Sequence, residues 1–183
     1  MNTQASITRT LINTGILFIL AIGSAQGEAR DPYKYFFHES WNDFQEELNI
    51  ARDEGKQGIL FFFELDECPF CHRMKQTVLN QPEVQEYYRQ HFRCIDVDIE
   101  GDIEVVDFAG NNTTQKDFAF KTNRVRATPV FAFYDLEGQR IYRFTGATNN
   151  KEEFLWLGEF ILSGKYKEMK FTKYKMNKKQ SAP

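Results

Sequence analysis

An apolar run, Ile59 to Leu65 (ILFFFEL), leads directly into E-C-P-F-C-H at Glu67 to His72, and this junction limits what the chain can fold into. A run of that length and composition suits a β-strand covered on both faces. The residues that follow, CHRMKQTVLN from Cys71, read as a helix. Cys68 and Cys71 therefore stand where a buried strand turns into a helix.

Three chemistries share the motif. C-x-x-C-H attaches c-type haem, C-x-x-C supplies half of a zinc site, and C-x-x-C alone is a redox pair. Haem attachment needs helices around a cavity and a distal ligand; Met74, Met169 and Met176 are present, but the surroundings are strand-rich. Zinc needs two more ligands, and Cys94, His38 and His91 show no paired spacing. The strand-to-helix context selects the redox pair, with no cofactor and no metal.

The ends of the chain bear on the compartment. Residues 1–27 have the form of a secretory signal peptide: Arg9 ahead of the apolar Leu11 to Ile22, then small residues at Ala25 and Gly27. Cleavage after Gly27 is expected, leaving no stable membrane insertion and a periplasmic domain. Export matters because disulfides persist outside the cytosol. Cys68, Cys71 and Cys94 make an odd count, so the two-residue gap points to chemistry rather than to a structural framework. Residues 28–163 carry 15 basic and 25 acidic side chains, whereas residues 164–183 carry seven lysines against Glu168 alone. An acidic domain gives no support to nucleic-acid binding. Its basic tail reads as a solvated, mobile terminus, with contact to an acidic partner or membrane surface as the alternative.

Along the chain, Ser40 to Asp43 fits a helix cap, and Trp41, Phe44, Leu48 and Ala51 recur at helical spacing, which predicts a helix from Trp41 to Glu54. A helix beginning at Pro82 and a strand FRCIDVDI follow the cysteine helix. Residues 101–113 are polar and acidic, with a short β-like piece from Ile103 to Phe108, and read as an insertion outside the core. A short helix over Thr114 to Thr122, a hairpin of TPVFAFYD and RIYRFTG, and a helix capped by Asn149 or Asn150 complete the order. A βαβ half followed by a hairpin and a helix is the α/β thioredoxin fold, a central mixed β-sheet flanked by helices on both faces.

The site residues can be argued individually. Cys68 lies just before a helix, where free N–H groups and the helix dipole stabilise a thiolate, so it is the nucleophile. Cys71 is placed to resolve the mixed disulfide that Cys68 forms. Pro69 suits the first helical turn and Phe70 reads as an apolar rim facing a partner. Thr128-Pro129, at the head of a strand, is open to a cis peptide that would bring Thr128 to the cysteines, or to an ordinary trans edge proline. Pro69, Phe70, Thr128 and Pro129 are the expected substrate-binding surface.

FFFELDECPFCHRMK, QPEVQEYY, FRCIDVDIEGD, the acidic insertion and VRATPVFAFYDLEGQRIYRFTGATNNKEEFL together resemble the thioredoxin-related proteins of the SoxW type, over about Trp41 to Leu162. The resemblance implies a periplasmic thiol–disulfide oxidoreductase with Cys68 attacking, Cys71 resolving and Pro129 as the cis-proline. It further implies a cysteine-containing protein substrate, in such proteins a carrier of sulfur oxidation, and a membrane thiol electron donor.

The chain departs from the thioredoxin pattern at Phe62, where a buried aspartate would stand six residues ahead of the first cysteine. Glu64, Asp66 and Glu67 are nearer acids, read either as solvated loop residues or as groups that raise the Cys68 pKa. His72 would favour the Cys68 thiolate if charged and adjacent, and otherwise faces solvent. Cys94 reads as a small buried thiol, or as a third redox or dimerising group. Rival functions are a disulfide-forming oxidant or isomerase, and a non-catalytic binding module.

Overall fold

A computed structural model describes residues 28–181. The proposed signal peptide, residues 1–27, lies outside the described residues. Among those described, no helix is long and apolar enough to cross a membrane.

The run that dominates the sequence forms the central strand β1 (Gly58–Glu64), with all seven residues buried. It pairs in parallel with β2 (Phe92–Asp98) and antiparallel with β5 (Val130–Tyr134), and β6 (Arg140–Thr145) extends the sheet beyond β5. Strand alternation sends Leu60 and Phe62 to one face and Ile59, Phe61 and Phe63 to the other, so β1 builds two cores at once. The first core lies under α3 (Pro69–Thr77), α4 (Pro82–His91) and α6 (Lys151–Leu162), which supply Cys71, Met74, Tyr88 and Phe154. The second lies under α2 (Phe44–Asp53) and the turns at residues 115–122, which supply Phe44, Leu48 and Phe118. A mixed sheet with helices on both faces is the thioredoxin fold.

Four local readings change. The helix predicted from Trp41 begins at Phe44: Asp43 accepts hydrogen bonds from the N–H groups of Gln45 and Glu46, and Asn42, at φ 61°, sits in the left-handed region that a helix excludes. Trp41 stays outside, 94% exposed. The 101–113 insertion belongs partly to the core. Its strand β3 (Glu104–Val106) pairs with β4 (Asn112–Thr114), Val105 is buried, and the Phe108 ring packs 4.8 Å from that of Tyr134.

The helix expected over Thr114 to Thr122 is one α-turn, α5 (Gln115–Asp117), followed by a π-turn (Phe118–Thr122), which buries Phe118 and Ala119 and turns Phe120 outward. Finally, the basic tail is not a free terminus. Phe171–Ser181 is a helix, α7, whose Phe171 is buried and whose Lys175 and Lys178 pair with Glu153 and Glu159 of α6 at 2.5 and 2.7 Å. The lysines dominate its composition, but Phe171 and Tyr174 pack on Phe160 at 5.4 and 5.2 Å and decide where it lies.

One element was absent from the sequence reading. Pro32–Tyr35 forms a single turn, α1, capped by Asp31, and delivers Phe36 and Phe37 into the first core against Tyr88 and Phe62. With only two adjacent apolar residues after it, this segment has no periodicity to read.

Candidate active site

β1 ends at Glu64, and the chain turns once before α3. The Cys68 N–H donates to the Leu65 carbonyl at 3.0 Å, which closes the turn and sets Cys68 at the N-cap of α3. From there its Sγ accepts the Cys71 N–H at 3.2 Å, as a capping side chain does. Pro69 occupies the first turn, where the missing N–H costs nothing. Cys68 retains 7% exposure and Cys71 none, so the first sulfur alone is within reach of a partner.

Burial works against the Cys68 thiolate, but hydrogen bonds from the Cys71 and Thr128 side chains and from the Cys71 and Phe70 N–H groups outweigh it and lower the thiol pKa. Burial pushes the Cys71 thiol up to about 12, and the Cys68 side chain adds to that. The two thiols are thus unlike: the first gives up its proton more readily than an ordinary thiol and the second less readily.

The Thr128–Pro129 peptide is cis. The Thr128 carbonyl oxygen lies 3.5 Å from Cys68 Sγ, and Pro129 is buried with its own carbonyl accepting the Gly146 N–H at 2.8 Å. Of the expected surface, Phe70 is 61% exposed and Thr128 half-buried, and both border Cys68; Pro129 lies beneath.

The flanking acids separate. Asp66 and Glu67 are exposed, and Glu64 is buried, with Oε2 2.5 Å from Lys75 Nζ and Oε1 accepting the Tyr33 hydroxyl at 3.2 Å. Sequence reasoning missed both partners. The available signal was that Lys75 stands four residues after Cys71, on the same helical face. His72 is exposed, its Nε2 2.6 Å from the Asp66 carbonyl, so it ties the turn before the cysteines to the helix after them. Phe62 lies in the core between Phe37 and Phe131. Cys94 is fully buried on β2 with its Sγ directed at the Phe92 carbonyl, and its thiol is pushed up to about 12 by burial. Among the described residues, no group of three or more His, Cys, Asp or Glu side chains is arranged to hold a metal ion.

Comparison with known proteins gives concordant results. A family model described as a thioredoxin-like domain matches residues 44–162. A disulfide bond reductase, DsbH, from Chlamydia pneumoniae is 25% identical over 104 residues, which cover 56% of this chain and 60% of that protein. Among solved structures, a thioredoxin-fold protein from Helicobacter pylori superposes with a TM-score of 0.56 at 26% identity, over 69% of this chain and 86% of that one. A candidate disulphide-isomerase from Bacteroides thetaiotaomicron gives a TM-score of 0.52 at 24% identity, over 69% and 89% of the two chains, a likeness of fold.

Proposed function

The chain belongs to the thioredoxin-like domain family, and on that premise we propose that it is an exported thiol–disulfide oxidoreductase that reduces disulfides of partner proteins. The observation that carries this reading is the capping geometry at α3, where Cys68 Sγ takes the Cys71 N–H while Cys71 stays buried and protonated. The Cys68 thiolate attacks one sulfur of the partner's disulfide. A mixed disulfide forms, and the partner's other sulfur leaves as a thiolate and takes up a proton. Cys71 then gives up its proton, attacks Cys68 Sγ and releases the partner's second thiol. The partner is reduced and the Cys68–Cys71 pair oxidised by the same two electrons.

Phe70 and Thr128 border the attacking sulfur, so an extended partner segment can lie across them, pairing with the Thr128 backbone as an added strand. A periplasmic setting, a membrane thiol donor that re-reduces the pair, and a sulfur-oxidation carrier as substrate complete the proposal on the strength of the sequence resemblance.

A second reading, a disulfide-forming oxidant, is favoured by the lowered Cys68 pKa, because stabilising the thiolate stabilises the reduced form. The equilibrium potential of the pair in a Cys94→Ser background decides between them. A value near about −270 mV supports reduction, and one near about −120 mV overturns it in favour of the oxidant.

A further inference from the structure

Residues 121–143 run against the charge of the rest of the domain. Residues 28–163 hold 25 acidic and 15 basic side chains, yet this stretch has Lys121, Arg124, Arg126, Arg140 and Arg143 against Asp135 and Glu137. Lys121 is paired with Asp117. The four arginines are not: among the described residues, none of them has a carboxylate oxygen within 4.0 Å. Lys75 and Arg93, buried elsewhere, each have one.

Backbone oxygens hold these arginines, and hold them together. Arg140 and Arg143 reach from β6 onto the loop that enters β5, where the Asn123 carbonyl accepts from Arg140 Nη1 at 3.4 Å and from Arg143 Nη1 at 3.2 Å. Asn123 is fully buried, and its Oδ1 accepts Arg140 Nη1 at 3.0 Å and the Tyr134 hydroxyl at 2.8 Å, so the core fixes this anchor. Arg143 Nη1 lies 3.4 Å from the Arg124 carbonyl as well, and Arg124, at φ 53°, sits in the left-handed region that a side chain enters at a cost. The Arg126 guanidinium rests 3.2 Å from the centre of the exposed Phe120 ring, while its Nη1 donates to the Phe120 and Val125 carbonyls. Two guanidinium groups on one carbonyl repel each other. Burial, and then the Arg140 charge, lower the Arg143 pKa, and its buried Nε has no hydrogen-bond partner. An incoming carboxylate relieves that repulsion and offers the paired oxygens that a guanidinium fork matches.

The cluster adjoins the attacking sulfur. Arg126 and Arg124 stand two and four residues ahead of Thr128, whose carbonyl lies 3.5 Å from Cys68 Sγ, and Arg143 stands two residues before Thr145, which pairs with Val130 at the start of β5. An extended chain covers about 3.3 Å per residue, so a partner strand seated on Thr128 comes alongside the arginines within roughly five residues of its own reacting cysteine. We infer that Arg124, Arg126, Arg140 and Arg143 form a recognition surface for a partner protein that carries an acidic segment within about five residues of its reactive disulfide. The inference rests on the oxidoreductase reading and adds to it the chemistry of the partner. A short acidic segment suits the place better than a nucleic acid or an anionic membrane, because the domain around the four arginines is acidic and repels an extended polyanion. Phe70 and Thr128 meet any partner at the sulfur; the arginines select among partners by speeding encounter and orienting the strand.

The test uses the reduced chain from Glu28 and three peptides of one sequence, each with a single cysteine in disulfide linkage to a coloured aromatic thiol and flanked by aspartate, asparagine or lysine. Attack by Cys68 on the peptide sulfur releases the coloured thiolate, and each rate is divided by that of mercaptoethanol with the same peptide. The aspartate peptide is expected to react on the order of tenfold faster than the asparagine peptide at about 20 mM salt, with the advantage shrinking to about twofold at about 0.5 M. Arg124→Gln with Arg126→Gln, both exposed, should bring the ratio close to one, and Arg124→Glu with Arg126→Glu should turn the preference toward the lysine peptide, a reaction that itself shows the variant folded. If either variant reacts with none of the peptides, Arg140→Gln with Arg143→Gln replaces it, and the same loss of preference is expected. A ratio of one in the unaltered chain, or an unchanged ratio in the glutamine variants, overturns the inference and leaves the oxidoreductase reading standing. The inference also fails if the variants lose binding to a DNA duplex or to phosphatidylserine vesicles while the peptide ratio stays the same. No reaction of the unaltered chain with any of the three peptides sinks the oxidoreductase reading itself.

Discussion

The Sγ of Cys68 and the carbonyl oxygen of Thr128, sixty residues apart in the chain, lie 3.5 Å apart. That contact joins the helix carrying the cysteines to the loop entering β5, and it means that a partner reaching the sulfur must also meet the Thr128 backbone. On the proposed function, chemistry and recognition share one patch of surface. The same contact is made possible by β1, which pairs with β5 over Ile59 to Phe63 and ends beside the turn that Cys68 closes.

The unlike thiols predict selective alkylation. With its pKa lowered, Cys68 should react faster at neutral pH than the other two thiols. Cys71 and Cys94, both pushed up to about 12, should remain unmodified. Mass spectrometry after a brief iodoacetamide pulse should find a single adduct, lost in Cys68→Ser; adducts spread over the three cysteines would contradict the assignment.

His38 should make the fold acid-sensitive. Burial and then the Arg89, Arg93 and Lys56 charges lower its pKa to about 3, and its Nδ1 accepts the Cys94 N–H at 3.0 Å. The unfolded chain therefore binds a proton below about 6.5 that the folded chain refuses until about 3. Stability is fully present above the higher value and is lost as pH falls between the two, by about 2 kcal/mol on reaching pH 5. Urea denaturation at pH 7 and pH 5 should show a shallower loss for His38→Gln than for wild type.

Gly58 should tolerate no side chain. At φ 150° it begins β1, and a Cβ there would lie 1.9 Å from the Tyr134 carbonyl oxygen. Neither backbone can move without breaking the β1–β5 ladder, so Gly58→Ala is expected to cost about 3 kcal/mol or more. The midpoint of chemical denaturation measures it, and an unchanged midpoint would show that the strand entry can relax.

Docking of α7 predicts a stability role for the basic terminus. Phe171→Ala removes a buried ring packed on Phe144 and Phe160 and is expected to cost about 3 kcal/mol. Lys173→Ala, on the exposed side, should leave the denaturation midpoint unchanged. Equal small effects from both would return the terminus to the solvated tail that its composition suggests.

The central strand, the position of the cysteines at its end and the order of elements were legible because strand and helix periods are local. ILFFFEL can bury both faces only at the middle of a sheet, and Pro69 with Cys68 marks a helix start by the chemistry of the first turn. Trp41 misled for the same reason: it matches the helical period, yet Asn42 and Asp43 set the start of α2 after it.

Residue type and spacing alone thus located the vicinal cysteine pair and determined the fold class. Tertiary structure decided which of three nearby acids is buried, because Glu64 meets Lys75 and Tyr33 only when α3 and α1 close over one face of the sheet. It likewise decided that the lysine-rich terminus packs, since Phe171 finds Phe144 and Phe160 from distant elements. Local patterns encode a residue's own preferences; burial of a charge or a ring depends on partners far along the chain, and no window of sequence contains them.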